Sequence, residues 1–395
     1  MTADAGKAPG LATIEASMNV LGMPRVITSH PRLLWDQKDI AHYRELMKTD
    51  GELKSAFTHM RNLGDKRIQE PLTMPAYRQE PDGQRAFPDY KKGFKNQNGT
   101  WEWSWNFNRC LQTRAEEIRN LGVLYALCGD EKYAEFAKRM LLALTDTYGY
   151  DQTRSEAKHD SAGPYNHDNF EPYGFDAADV ATFLVKACYG YDLIYNLPSI
   201  TQQERDQIEG GLIRPMGERI ALFSKNIFTG HGKWSMLDLY GVLVSGMTVN
   251  DQALIDDALY GLGGSKEKPA GGFMAFSSGI KADGHWDDGN IDNLSVSLPI
   301  LINVAEVMWH NGIDLYRDKN GVLKRPFDAL LAAFPGDAGV GKLAGMPVAV
   351  CYEYLFRRYH DPMYCPIIKL RKKGLGLGNY CEPPSLFDDP SSGAH

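Results

Sequence analysis

Residues 109–148 hold two apolar-striped helical patterns separated by only three residues, and that spacing leaves the chain few ways to fold. Arg109 to Leu127 (RCLQTRAEEIRNLGVLYAL) carries Leu111, Ile118, Leu121, Leu124 and Tyr125 on one stripe. After Cys128-Gly129-Asp130 a second helix is predicted from Glu131 to Tyr148, so the two form an antiparallel hairpin. The same period recurs over Asp36–Met47, Phe175–Tyr195, Thr201–Phe223, Lys233–Met247, Asp251–Tyr260, Ser295–His310 and Ala349–Tyr359. An acidic cap opens the segment at Asp36, and Thr201 with Glu204 spells a capping box. β-Hairpin signals are few. Helical hairpins with no strands between them predict an all-α protein, either a solenoid closed into a toroid or a bundle.

The connections are uneven. Residues 71–105, 153–174, 261–293 and 312–345 are long and rich in Gly, Pro, Asn and Trp. Long loops in a compact domain usually carry function, and if alternate loops gather at one end of a toroid these segments line its mouth. One toroid domain is expected over residues 26–380, with an N-terminal extension at 1–25 and a frayed tail at 381–395.

Composition narrows the partners. Among 395 residues, 43 basic against 50 acidic side chains give a net charge of −7, which disfavours generic binding to nucleic acid or an anionic membrane. A polyanionic substrate stays open, because a site needs only local positive charge. No stretch reaches the ~18 apolar residues of a membrane span. Residues 1–20 lack a basic stretch followed by a long apolar run, so no leader is read there. The protein is then exported if a leader has been removed, and cytoplasmic otherwise. The six cysteines are scattered without a CxxC pair, which argues against a disulfide framework or zinc site. Cys110 and Cys128 fall in helical patterns and are expected to be buried free thiols.

The loops carry the candidate chemistry. Gly230-His231-Gly232-Lys233-Trp234 stands immediately before a helix, where glycines let backbone approach a ligand. Tyr165-Asn166-His167-Asp168-Asn169, with Glu171 and Tyr173, packs donors and acid–base groups into nine positions upstream of another helix. Asp283-Gly284-His285-Trp286-Asp287-Asp288 precedes a third; it lacks the alternating ligands of an EF-hand loop, and no metal is expected. Trp101, Trp103 and Trp105 alternate, which would put all three on one side of an extended segment as a sugar-stacking platform. Each cluster has a plainer reading too, as a solvated loop or as core.

These residues resemble a family. HPRLLW (His30 to Trp35), followed by a helix starting DQKDIA, is similar to the N-terminal signature of the alginate-lyase and heparinase-like polysaccharide lyases. LGVLYALCGDEKYAEFAKRML (Leu121 to Leu141) resembles their first central hairpin, and TGHGKW (Thr229 to Trp234) their Asn-His-Gly-x-Trp motif. IKADGHW and NGIDLY (Asn311 to Tyr316) continue the likeness in order to Tyr316. Within the group the chain looks most like polysaccharide lyase family 38, which acts on glucuronan or alginate. The resemblance implies an (α/α) toroid, an incomplete barrel of helical hairpins with long loops at one mouth. It also implies a metal-free β-elimination with no cofactor, acting on an anionic uronate polymer, by a monomer or homodimer.

Cleaving a 4-linked uronate requires neutralising the carboxylate, removing the C5 proton and protonating the departing O4. In glucuronate or mannuronate the C5 hydrogen and O4 share a ring face, so one Tyr can do both proton transfers. Its ordinary pKa of about 10 must then be lowered by its neighbours. Matching the motifs puts His231 beside the carboxylate. The motif's Asn is Gly230 here, which makes Asn166 the candidate amide. The family's catalytic Tyr falls near residues 295–298, where this chain has none. The base is therefore Tyr165, Tyr173, Tyr240 or Tyr77, or else His167 or His285 with a Tyr as acid. Tyr77, Arg78, Arg109, Arg114, Trp234 and Trp286 join the three tryptophans as candidate substrate contacts. Two rival readings are an (α/α)-barrel glycoside hydrolase using Asp168 with Asp287 or Asp288, and a non-catalytic carbohydrate-binding protein.

Overall fold

The computed structural model describes residues 29–72, 78–79, 85–86, 104–148, 177–223, 233–285, 291–317 and 321–371. The chain runs through α1 (Gln37–Thr49), α2 (Gly51–Gln69), the two-residue strands β1 (Arg78–Gln79) and β2 (Arg85–Ala86), α3 (Ser104–Cys128), α4 (Glu131–Tyr148) and α5 (Ala177–Ile194). It continues with α6 (Gln202–Ile208), a π-helical turn (Glu209–Ile213), α7 (Arg214–Phe223), α8 (Lys233–Val249), α9 (Gln252–Tyr260), α10 (Gly272–Ser278) and α11 (Ile291–His310). After a short 3₁₀ turn come α12 (Arg325–Ala332), α13 (Gly336–Ala344), α14 (Cys351–Tyr359) and α15 (Cys365–Leu370).

A helix that is apolar all round must be buried all round. Residues 183–194 of α5, 236–249 of α8 and 297–308 of α11 are buried without interruption. They form an inner layer in chain order: α3 packs on α5, α5 on α8, and α8 on α11. Amphipathic α4, α7 and α9 lie outside these and pack on them. This alternation of inner and outer helices is the (α/α) toroid. Small residues set the inner contacts. A Cβ on Gly190 would lie 2.7 Å from the Ile118 carbonyl oxygen, so α3 and α5 touch backbone to backbone there. Gly241 of α8 likewise meets Ala181 of α5, at 2.7 Å from its Cβ.

The inner helices run parallel, and residues 30–44 show it by gripping all four at one end. Asp192, near the end of α5, accepts from His30 Nδ1 at 2.5 Å and from the backbone N–H groups of Arg32 and Leu33 at 2.8 and 2.9 Å. The Arg32 guanidinium donates to the Met247 carbonyl (2.6 Å) and the Asn250 side chain (2.7 Å) at the end of α8. Arg44 donates to the Ala126 carbonyl at the end of α3, at 2.6 and 3.0 Å. At the end of α11, His310 Nδ1 donates to the Leu33 carbonyl (2.9 Å) and Asn311 donates to the Arg32 carbonyl (3.1 Å). Cations at helix C-termini also oppose the negative end of each macrodipole. Asp192 is the exception, and its three donors offset the repulsion.

Local chemistry explains most boundaries. The Asp36 side chain accepts from the Lys38 and Asp39 N–H groups, and Thr201 with Glu204 closes the second capping box. Other expectations are corrected. The pattern of α2 was not visible, because it buries only Leu53, Gly64 and Arg67. Residues 261–293 contain α10, residues 312–345 contain α12 and α13, and α15 follows the helix expected to be last. These helices are 6–9 residues long, too short for a periodicity signal. The helix expected across 201–223 is broken by its π turn at Gly210-Gly211, where Glu209 accepts from the Tyr191 hydroxyl at 2.7 Å. Cys128 is exposed rather than buried, since it ends α3.

Asp192→Asn is expected to cost about 3 kcal/mol, since backbone donors would face a neutral amide. Urea unfolding should show the loss as a lower midpoint with an unchanged m-value. A second expectation concerns pH. Burial opposes ionisation of Asp39, but its hydrogen bond to His310 Nε2 (2.9 Å) and the Arg357 charge hold its pKa down at about 2. Burial also opposes charging of His310, yet Asp39, Glu306 and the Leu33 carbonyl raise its pKa above the ordinary 6.5. Asp39 stabilises above its ordinary 3.8 and loses that contribution as pH falls towards 2; His310 stabilises in full below 6.5 and loses its contribution as pH rises through its raised value. Thermal stability should therefore fall as pH rises past neutrality, and His310→Gln should flatten that slope.

Candidate functional site

Parallel inner helices place their N-termini together, at the end of the toroid opposite residues 30–44. Four partial positive charges thus face one mouth. By chain position each candidate cluster stands directly upstream of a different inner helix. His231 is two residues before Lys233, where α8 starts, and Asn166 is eleven before Ala177, where α5 starts. His285 is six residues before Ile291 of α11, and Trp101 three before Ser104 of α3.

Tyr77, Trp101, Trp103, Tyr165, Asn166, His167, Asp168, Tyr173, His231, Trp286, Asp287 and Asp288 lie outside the described residues. Arg78 is in β1, Arg109 in the second turn of α3, and Trp234 in the first turn of α8. Trp105 corrects an expectation: it belongs to the first turn of α3, so the three tryptophans do not share one extended segment.

Arg114, a candidate substrate contact, is half-buried and pairs with Glu117 at 2.7 Å. Glu117 also accepts from Arg67 Nε at 2.8 Å, so this ion pair links α3 to α2. His285 is exposed, with Nδ1 3.4 Å from Asp283 in a turn closed by a Lys281 N–H to His285 carbonyl bond of 3.0 Å. Tyr240 is fully buried in α8, and its hydroxyl is hydrogen-bonded to that of Tyr189 on α5.

Sequence reasoning missed a layer of polar groups halfway along the inner helices. Arg119, Lys186 and Asn303 are 2%, 3% and 3% exposed. Arg119 is nine residues before the end of α3, Lys186 eight before the end of α5, Tyr240 nine before the end of α8, and Asn303 seven before the end of α11. At ~1.5 Å per residue these side chains share a level. Glu116 sits beside both cations, 3.6 Å from Arg119 and 3.7 Å from Lys186. A signal existed for Lys186: it is the one cation in the apolar run AADVATFLVKACYGYDLI. Next to it, burial pushes the Cys188 thiol up to about 12, which leaves it unreactive at neutral pH. Among the described residues no three His, Cys, Asp or Glu side chains converge as a metal site would require, and no helix is long and apolar enough to cross a membrane. A shallow recess on the exposed face of α2, lined by Lys54, Ser55, Thr58 and His59, lies away from the inner helices.

The Tyr189–Tyr240 pair invites a double-mutant cycle. Tyr240→Phe and Tyr189→Phe should each cost about 1 kcal/mol, and the double variant no more than either, as measured by chemical denaturation.

Comparison with known proteins gives three likenesses. The chain is 29% identical over 175 residues to an exo-oligoalginate lyase of Saccharophagus degradans, covering 44% of this chain and 22% of that protein. It is 25% identical over 225 residues to an alginate lyase of Stenotrophomonas maltophilia, covering 54% and 27%. The matched region therefore spans about a quarter of the length of these curated relatives. The crystal structure of alginate lyase A1-III from Sphingomonas species A1 superposes with a TM-score of 0.55 at 15% identity, covering 85% of this chain and 93% of that one. At that identity the likeness shows the fold, an alginate-lyase-like (α/α) toroid. No family model matches.

Proposed function

We propose that this chain is a polysaccharide lyase that cleaves a 4-linked uronate polymer of the alginate or glucuronan type. One observation carries the reading. The clusters around Asn166, His231 and His285, each rich in groups suited to this chemistry, precede parallel helices that open at a single mouth. The sequence likeness to two alginate lyases supports the same reaction class. Four helix N-termini at that mouth favour an anionic substrate.

The reaction is a β-elimination. His231 and Asn166 would hold the carboxylate at the subsite being cleaved, so that charge developing on C5 spreads into a stabilised enolate. A base takes the C5 proton, the electron pair forms the C4=C5 double bond, and the C4–O4 bond breaks. The proton passes to the departing oxygen. Tyr165 or Tyr173 suits both transfers on one ring face, and His167 or His285 suits the base alone. Trp101 and Trp103, with Tyr77, Arg78 and Arg109, would engage neighbouring sugars by stacking and by charge. No resident metal or cofactor enters this scheme.

The test is short-ultraviolet absorbance during incubation with glucuronan, polymannuronate, polyguluronate and hyaluronan. Elimination leaves a conjugated C4=C5 enoate that absorbs; hydrolysis does not. A rise unaffected by chelator is expected on glucuronan or polymannuronate, and His231→Ala and Asn166→Ala should each lower kcat by about 10²–10³. Reducing ends appearing without absorbance would establish a hydrolase instead.

A further inference from the structure

We propose that Lys186 is a buried carboxylate-binding residue at the floor of the mouth, holding one uronate of the substrate through its ammonium group. This rests on the reading of the chain as acting on a uronate polymer. The side chain belongs to an inner helix and is 3% exposed. Helical side chains lean towards the N-terminus of their own helix. Lys186 therefore leans towards the mouth, from a position nine residues inside α5.

Its surroundings leave the charge under-used. α5 carries two other charged residues, Asp179 and Asp192. The carboxylate of Asp192 is occupied by His30 and the backbone of Arg32 and Leu33 at the far end. Among the described residues the ion pair of Lys186 is with Glu116, at 3.7 Å, which is beyond hydrogen-bond reach. Glu116 is shared with Arg119 at 3.6 Å, and its side chain is 45% exposed. A solvated carboxylate divided between two cations compensates a desolvated ammonium poorly, and a buried charge without close partners is costly. A substrate carboxylate arriving from the mouth would supply a closer acceptor than Glu116 does. Two other ion pairs of this protein are tighter: Arg358 meets Glu306 at 2.6 Å and Arg114 meets Glu117 at 2.7 Å.

The test is calorimetric binding of a tetramannuronate and of its carboxyl-reduced, neutral counterpart to the whole chain, alongside steady-state kinetics. Lys186→Met keeps the length and removes the charge. It should weaken tetramannuronate binding and raise KM by about tenfold to a hundredfold, leave kcat within a few-fold, and leave the neutral sugar unaffected. Lys186→Arg should recover part of the loss. Glu116→Gln, which frees the ammonium, should tighten tetramannuronate binding; a purely structural pair predicts a loss of stability with binding unchanged. Wild-type affinity in folded Lys186→Met overturns the proposal, and so does unchanged affinity in Glu116→Gln should Lys186→Met fail to fold. Wild-type binding of tetramannuronate without enoate formation would sink the lyase reading while leaving Lys186 in place.

Discussion

The carboxylate of Asp192 is the contact on which the arrangement of the inner helices depends. It sits where a helix C-terminus is least hospitable to negative charge, and it is tolerated because three donors from residues 30–33 converge on it. Those residues then reach two further helix ends, that of α8 through Arg32 and that of α11 through His310 and Asn311, and Arg44 of α1 reaches the end of α3. A buried carboxylate stripped of its donors is far costlier than a missing apolar contact. The segment HPRLLW is thus a hub that ties the inner helices together at one end.

That orientation separates two ends of the molecule. One end is closed by hydrogen-bonded side chains, with Asp39, His310, Arg357, Glu306 and Arg358 forming a charged network behind the hub. The other end holds the N-termini of the inner helices, and the sequence segments richest in His, Asn, Tyr and Trp precede those helices in the chain. The same division applies to candidate residues. Arg114 is drawn into an ion pair between helices and Tyr240 into a buried hydroxyl pair, so both contribute to holding helices together.

Much of the architecture was legible in the pattern of residues. The hairpin of α3 and α4 and the capping boxes at Asp36 and Thr201 follow from local chemistry acting over a few turns. The short helices α10, α12, α13 and α15 did not, because 6–9 residues offer too few turns for a period to emerge and packing decides their conformation. The alternating tryptophans misled for a related reason: a two-residue period was read through Trp105, where helix formation had already begun.

Residue order alone determined that this chain is helical, that its helices come in hairpins, and that its reactive side chains gather in segments ahead of particular helices. It could not determine which helices are inner, that they are parallel, or that Lys186 is buried beside a shared carboxylate. Those facts arise between residues far apart in the chain, as in Lys186 on α5 beside Glu116 on α3, 70 positions away, or Arg32 bonded to Asn311, 279 positions away. A hydrogen bond across that separation leaves no period or spacing in the sequence. Only packing brings its two partners together.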